Sequence, residues 1–298
     1  MLTKHEYGAT TWIDLESPKK DEVMNLVKEW NIDTLVANEL MSPSFRAKVD
    51  VFDEYAYLIF RFPTNHNGRQ KVKRKAHEID FIVGQNLLIT VHYEPIYALH
   101  EFEKKFDDTV ENACALFYLI LKELYESLNY KLAIINERID KTENKIFQGE
   151  EKKMVEVLSQ INRDLIDFRR DTYFHKDILQ SFESTAKNFF DDKSKHLSRS
   201  LNNDIDKVQN SLKNSEEILR EWRKTNDSLL TTKNNETMKH LTMMAFVTFP
   251  LTLLSSLFAI EARATPIIGH PYDFWIILSI MIGVTVAIFT FFKYKKWL

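Results

Sequence analysis

The sequence predicts an α/β N-terminal domain, a series of long helices after it, and two membrane-spanning helices at the C-terminal end. Three observations lead there. Residues 241–260 and 274–292 form two runs without a single charge. No proline occurs between Pro95 and Pro250, and Gly149 is the one glycine in that interval. The first 95 residues, in contrast, hold four of the seven prolines and alternate between strand-like and helix-like runs. Across all 298 residues, 40 Lys+Arg stand against 43 Asp+Glu, with 44% hydrophobic and 12% aromatic residues. That balance excludes a disordered chain and an acidic or basic tail protein. A single cysteine, Cys114, excludes a disulfide scaffold or a Cys-rich zinc site.

Within residues 1–95, TTWIDL reads as a strand. Ser17 is placed to cap a helix with Pro18 at its first position, and DEVMNLVKEW follows at helical period. VDVFDEYAYLIFRF and AHEIDFIVGQNLLITVH are β-rich, the second divided by a Gly84-Gln85-Asn86 turn. Helices interleaved with strands make an α/β layer domain. Between the two β runs lie Arg69, Lys71, Lys73, Arg74 and Lys75. Such a cluster suits lipid headgroups or nucleic acid. With no aromatic interleaving and a net charge of −3, it reads as a solvated hairpin tip, and no nucleic-acid partner is expected.

Residues 96–240 read as long helices in three segments, 97–147, 151–190 and 196–262, the first pair a hairpin broken at Gln148-Gly149. The third keeps a seven-residue repeat. Leu201, Val208, Trp222 and Leu229 fall on one register, and Ile205, Leu212 and Leu219 on the other, interrupted by Ser215 and Asn226. That stripe asks for helical partners. Continued into the first apolar run, the helix would measure about 100 Å. Residues 196–240 thus form a coiled-coil-like stalk entering the membrane.

A helix needs about 20 apolar residues to cross a hydrocarbon core. The runs at 241–260 and 274–292 meet that length, and the second has no amphipathic face. The N-terminus shows no signal-peptide pattern. Lys233 and Lys239 precede the first span, and Lys293, Lys295 and Lys296 follow the second, whereas the loop 261–273 carries only Arg263 as a fixed positive charge. The positive-inside bias then puts both termini and the 293–298 tail in the cytoplasm and the loop outside. Trp275 and Trp297 suit the two interfaces. Along the stalk and first span, Asn235, Met238, Leu241, Ala245, Phe249, Thr252 and Ser256 are spaced by three or four and share one face. Copies of the helix bundled on that face would enclose a pore. The same small and hydroxyl residues serve membrane helix packing equally well.

At this point the sequence resembles the CorA magnesium-transporter family. NNETMKHLTMMAFVTFPLTLLSSLFAIE is similar to the family's N-E-x-M-K-x-L-T, P-L-T and Y-G-M-N elements, with Asn235, Met238, Lys239, Leu241, Thr242, Pro250, Leu251 and Thr252 matching. The closing KKWL, and the blocks WIDLESP, FRAKVDVFDEYAYLIFRFP and IVGQNLLITVH, are similar too. The resemblance implies a homopentamer with a cytoplasmic funnel in the inner membrane. The first span would line the pore and the second form an outer ring. Asn235, Met238, Leu241, Thr252 and Ser256 then become pore-lining positions, with Phe249 where a methionine is common. Met238 and Leu241 would form an apolar constriction that gates by dewetting.

The sequence departs from the family at the outer mouth. Gly-Met-Asn is replaced by Ala259, Ile260 and Glu261. A neutral amide ring can hold hydrated Mg²⁺ through water, whereas a ring of carboxylates attracts cations more strongly and less selectively. Glu261 is accordingly the metal-binding candidate at the mouth. Regulatory metal sites in the family use acidic residues. Asp107, Asp108, Asp191 and Asp192, with Glu101 and Glu103, are candidates by composition, and acid pairs of this kind also suit a solvated helix surface. His175 and His270 have no partner at metal-ligand spacing and read as structural or exposed. With no Gly-rich phosphate loop, nucleophile elbow or helical His pair, no enzyme activity and no cofactor are expected beyond a transported or regulatory divalent cation. The function implied is a divalent-cation channel of altered selectivity, in contact with the bilayer and with copies of itself. The alternative is a non-transporting scaffold or sensor on the same fold.

Overall fold

The computed structural model describes residues 2–44, 46–63, 77–106, 110–185, 192–260, 267–269 and 271–295. The chain divides into two compact units, Met1–Arg223 and Lys224–Leu298.

The first unit is built on a six-stranded sheet. Its strands are β1 (Leu2–Tyr7), β2 (Thr10–Glu16), β3 (Lys48–Val51), β4 (Tyr55–Phe62), β5 (His77–Gly84) and β6 (Leu87–His92), in the order β1-β2-β6-β5-β4-β3. Only β2 and β6 pair in parallel; the other neighbours are antiparallel. Strands β4, β5 and β6 are buried along nearly their whole length. That continuous burial requires cover on both faces. On one face, α1 (Lys20–Glu29) and α2 (Thr34–Glu39) bring Val23, Leu26, Val36 and Ala37 onto Ile13, Leu15, Tyr57, Ile59, Ile82 and Ile89. On the other, Phe81 and Phe117 meet edge to face at 5.1 Å, which docks α4 (Ala113–Phe147) on the sheet.

Ser17 does not cap α1. Its backbone turns through φ 49°, its hydroxyl donates to the Tyr93 carbonyl at 3.0 Å, and its N–H bonds the His92 carbonyl. These contacts tie Ser17 to the end of β6, and the helix begins behind Lys19, whose N–H is held by the Glu22 carboxylate at 2.9 Å. Strand β1 went unread in the sequence because it is an edge strand whose burial alternates only weakly, with LTKHEY polar on both faces.

The helices are more broken than the Pro- and Gly-free stretch implied. The first segment divides into α3 (Tyr97–Lys105) and α4, which starts where the Asn112 side chain accepts the Ala115 N–H at 2.8 Å. The second divides into α5 (Glu151–Thr172) and α6 (His175–Thr185). The corner between them turns on a buried histidine. His175 bonds the Tyr125 hydroxyl at 2.6 Å and the Arg61 carbonyl at 2.7 Å, and burial pushes its imidazole down to about 4, so it stays neutral. At the α4–α5 hairpin Gly149 adopts φ 89°, the left-handed geometry that closes a helix.

Helix α7 (Asp192–Phe258) has 67 residues, about 100 Å at 1.5 Å per residue. In the first unit its seam residues Leu201, Ile205, Val208, Leu212 and Leu219 are all buried. Their partners come from the same chain: Asn202 reaches Glu183 of α6 at 3.3 Å, and Trp222 meets the Phe147 ring of α4 at 5.8 Å. Ser215 interrupts the repeat because its hydroxyl bonds Asn136 of α4 at 2.5 Å.

In the second unit, residues 231–242 of α7 are exposed all round. The apolar part then runs beside α8 (Asp273–Tyr294), with Phe246 and Phe292 in edge contact at 6.4 Å. Both helices are long and apolar enough to cross a membrane, and almost none of either span is buried within the chain. A soluble core helix would be buried; these present their apolar surface outward.

Candidate functional site

The site of interest is one face of α7. Met243 is buried, and Val247, Pro250 and Leu254, spaced from it at helical period, are half-buried. Asn235, Met238, Leu241, Phe249, Thr252 and Ser256 lie on the opposite side and are exposed, with Ala245 half-buried among them. The structure therefore turns Ala245, Phe249, Thr252 and Ser256 away from the buried side of the span, and Asn235, Met238 and Leu241 lie in the preceding stretch that is exposed all round. Phe249 is 74% exposed, the largest side chain on that face.

The hydroxyls on this stretch are satisfied within the helix. Thr252 donates to the Thr248 carbonyl at 2.9 Å and Ser256 to the Thr252 carbonyl at 2.8 Å. Each donor hydrogen is spent on the backbone, which removes the cost of an unpaired group in hydrocarbon and leaves the oxygen lone pairs outward. Acceptors facing an axis can take hydrogen bonds from the water shell of a cation. Pro250, inside the helix, donates no N–H to the Phe246 carbonyl one turn back.

At the outer end, the Ala259 N–H bonds the Ser255 carbonyl at 3.1 Å and the Ile260 N–H the Leu257 carbonyl at 3.4 Å. Among the described residues only Ser17 and Asn31 are non-glycine residues with positive φ. Ala259 therefore closes the last turn of α7 without a positive φ, a conformation that makes no demand for glycine. Ile260 is 56% exposed. Glu261 lies outside the described residues.

Of the acidic candidates, Asp107, Asp108 and Asp191 also lie outside the described residues, as do His270 and the basic run from Arg69 to Lys75. Asp192 opens α7. Glu101 is paired with Lys105 at 3.2 Å and Lys104 at 3.9 Å, which hold its carboxyl below the usual range. Glu103 is paired with His5 at 2.6 Å. Among the described residues no group of three or more His, Cys, Asp or Glu side chains is arranged to hold a metal.

Sequence reasoning missed two buried polar clusters in the first unit. In one, Asp14 accepts from the Thr90 hydroxyl and pairs with His92 at 3.1 Å, while Trp12 donates to Thr90 at 2.9 Å. Burial alone would lower the His92 imidazole, but the hydrogen bond and charge of Asp14 raise it further than burial lowers it. In the other, Asp80 accepts from the Tyr57 hydroxyl at 2.9 Å and the Tyr93 hydroxyl at 3.4 Å. Its Oδ1 has no partner among the described residues. Burial first, then the neighbouring Glu78, push the Asp80 carboxyl well above the usual carboxylate range. The signal for both was an acid at an inward position of a strand, Asp14 in TTWIDLE and Asp80 in HEIDFIVG.

The family model described as "CorA-like Mg2+ transporter protein" matches residues 7–295. The chain belongs to that family. Among curated relatives, the cobalt/magnesium transport protein CorA of Thermotoga maritima is 20% identical over 305 residues, covering 100% of this chain and 86% of the relative. Among solved structures, the complete CorA magnesium transporter of Methanocaldococcus jannaschii superposes with a TM-score of 0.84 at 18% identity, covering 97% of this chain and 92% of that one. The full-length CmaX protein superposes with a TM-score of 0.73 at 16% identity, over 97% of this chain and 89% of that one. The resemblance drawn from the stalk and first span, and from the N-terminal blocks, is thus borne out over nearly the whole length. An α/β N-terminal domain, a long stalk helix and two C-terminal apolar helices are the CorA architecture.

Proposed function

We propose that this chain is a membrane channel or transporter for divalent cations. It assembles as a homopentamer with both termini in the cytoplasm, and the first span of each copy lines the pathway. One observation carries the reading: the face of α7 bearing Asn235, Met238, Leu241, Ala245, Phe249, Thr252 and Ser256 is left free by α8 and combines apolar girth with outward acceptors. Relatives named as magnesium and cobalt transport proteins support the ion class. Met238 and Leu241, 60% and 55% exposed, are sized to close an apolar constriction that dewets. At the outer mouth Glu261 takes the place of a neutral amide, so the ring attracts cations more strongly and discriminates among them less. Close carboxylates in such a ring share protons and titrate together.

The test is flux into proteoliposomes under a membrane potential, with Mg²⁺, Zn²⁺, Co²⁺ and Ni²⁺ run in parallel for wild type and Glu261→Asn. Flux of at least one ion is expected, with the order among ions altered in the variant. Absence of flux for all four in wild type would overturn the transport reading in favour of a non-transporting scaffold. Placing Gly, Met and Asn at 259–261 then separates lost chemistry from lost architecture, since only the former is rescued.

A further inference from the structure

Along α8 runs a groove of about 680 Å³ lined by Thr285, Val286, Phe289, Thr290 and Lys293. Val286, Phe289, Thr290 and Lys293 stand at i, i+3, i+4 and i+7, one face of the helix. Gly283 lies one turn earlier on the same face, and a Cβ placed there would meet no atom within 4 Å, so the face stays open above Val286. The two threonine hydroxyls are spent on the helix itself, Thr285 to the Met281 carbonyl at 2.8 Å and Thr290 to the Val286 carbonyl at 2.7 Å. What remains on the walls is hydrocarbon: Val286 is 59% and Phe289 49% exposed. Lys293 stands at the foot, where the apolar run ends, and makes no ion pair among the described residues.

An ammonium with no carboxylate partner among the described residues attracts an anion at the membrane boundary, and the open hydrocarbon face above it attracts an acyl chain. A second copy of the chain would bring no carboxylate to that depth, because neither span carries one between residues 241 and 260 or between 274 and 292. We propose that this groove is a binding site for an anionic phospholipid, its headgroup phosphate on Lys293 and an acyl chain along Val286, Phe289 and Thr290. The inference rests on α8 crossing the bilayer, as in the proposed function, and is independent of which ion, if any, is carried.

The experiment is lipid retention by the full-length protein. The protein is equilibrated in mixed micelles of phosphatidylglycerol and phosphatidylcholine, then delipidated, and the bound lipid is counted by native mass spectrometry. Wild type is expected to keep phosphatidylglycerol in preference to phosphatidylcholine. Lys293→Gln should lower that retention about fivefold, the scale of one lysine charge at an anionic surface. Thr290→Trp, which fills the groove without touching a charge, should lower it too, and Lys295→Gln should leave it unchanged. Three results would overturn the proposal: equal retention of the two lipids, no loss in Lys293→Gln, or an equal loss in Lys295→Gln, which would mark diffuse attraction to the basic tail. Ion flux measured on the same variants in proteoliposomes keeps this outcome separate from failure of the transport reading.

Discussion

Asp80→Asn should stabilise the protein, by an amount that grows with pH. The Asp80 side chain is 1% exposed, its Oδ2 takes the Tyr57 and Tyr93 hydroxyls, and Oδ1 is unpartnered among the described residues. Burial and the Glu78 charge raise its folded value above the unfolded one. A group shifted in this direction contributes stability that is fully present below the unfolded value, about 3.9, and is lost as pH rises toward the folded one. Within that window each pH unit removes about 1.4 kcal/mol. In a unit of this size that corresponds to roughly 3–6 °C of Tm. An amide keeps the shape, accepts the Tyr57 hydroxyl and cannot ionise. The check is the apparent Tm of full-length wild type and Asp80→Asn in detergent, followed by intrinsic fluorescence at half-unit steps from pH 4.5 to 8. The difference in favour of the variant should widen as pH rises. A flat difference, or one that narrows, would show that Asp80 is ionised in the folded protein and would refute the argument.

Three further outcomes follow from the same structure. His92→Gln should cost most near pH 6 and progressively less toward pH 9, because the raised His92 contributes stability below its unfolded value, about 6.5, that disappears as pH passes the folded one; the same Tm series reads this. Ile205→Ala, at a fully buried seam position of α7, should cost about 2–5 kcal/mol and lower the Tm accordingly. Leu241→Ser, on the exposed face of α7, should wet the proposed constriction and raise resting flux in proteoliposomes, while the equivalent change at Leu254, on the half-buried opposite side, leaves flux near wild type.

Much of the fold was legible because it is written in period and in solvent preference. The buried stripe from Leu201 to Leu219 follows the seven-residue repeat, and the two charge-free runs coincide with helices that bury almost nothing. Ser215 looked like a flaw in that repeat and proves to be a hydrogen-bonded crossing with Asn136. What stayed hidden depended on residues far apart in sequence. The α5–α6 corner contains neither proline nor glycine and is set by His175 bridging Tyr125 and Arg61, positions 50 and 114 residues away. Ser17 satisfied every local rule for a helix cap and was drawn off by the β6 backbone instead. Asp14 and Asp80 sat in view as acids within strands, but their partners Thr90, His92, Tyr57 and Tyr93 come together only through sheet pairing.

The proposed pathway divides in the same way. A shared architecture at 18% identity and a TM-score of 0.84 means that the placement of α7 and α8 is fixed by apolar pattern, which tolerates wide substitution. The face of α7 inherits its geometry from that pattern, since spacing by three and four is all that a common face requires. Selectivity has no such redundancy, because it depends on what a few side chains offer to a hydrated ion. Ala259 illustrates the boundary: its N–H closes the last turn of α7 and its φ is not positive, so the backbone there makes no demand for glycine. Two positions later, a carboxylate in place of an amide would change both charge and proton affinity at the proposed mouth. Substitution at 259 should therefore leave assembly and flux little altered, whereas substitution at 261 should reorder the ions. If Ala259→Gly alone shifted the order as much as Glu261→Asn does, backbone shape at the mouth, and not its charge, would be setting the selectivity.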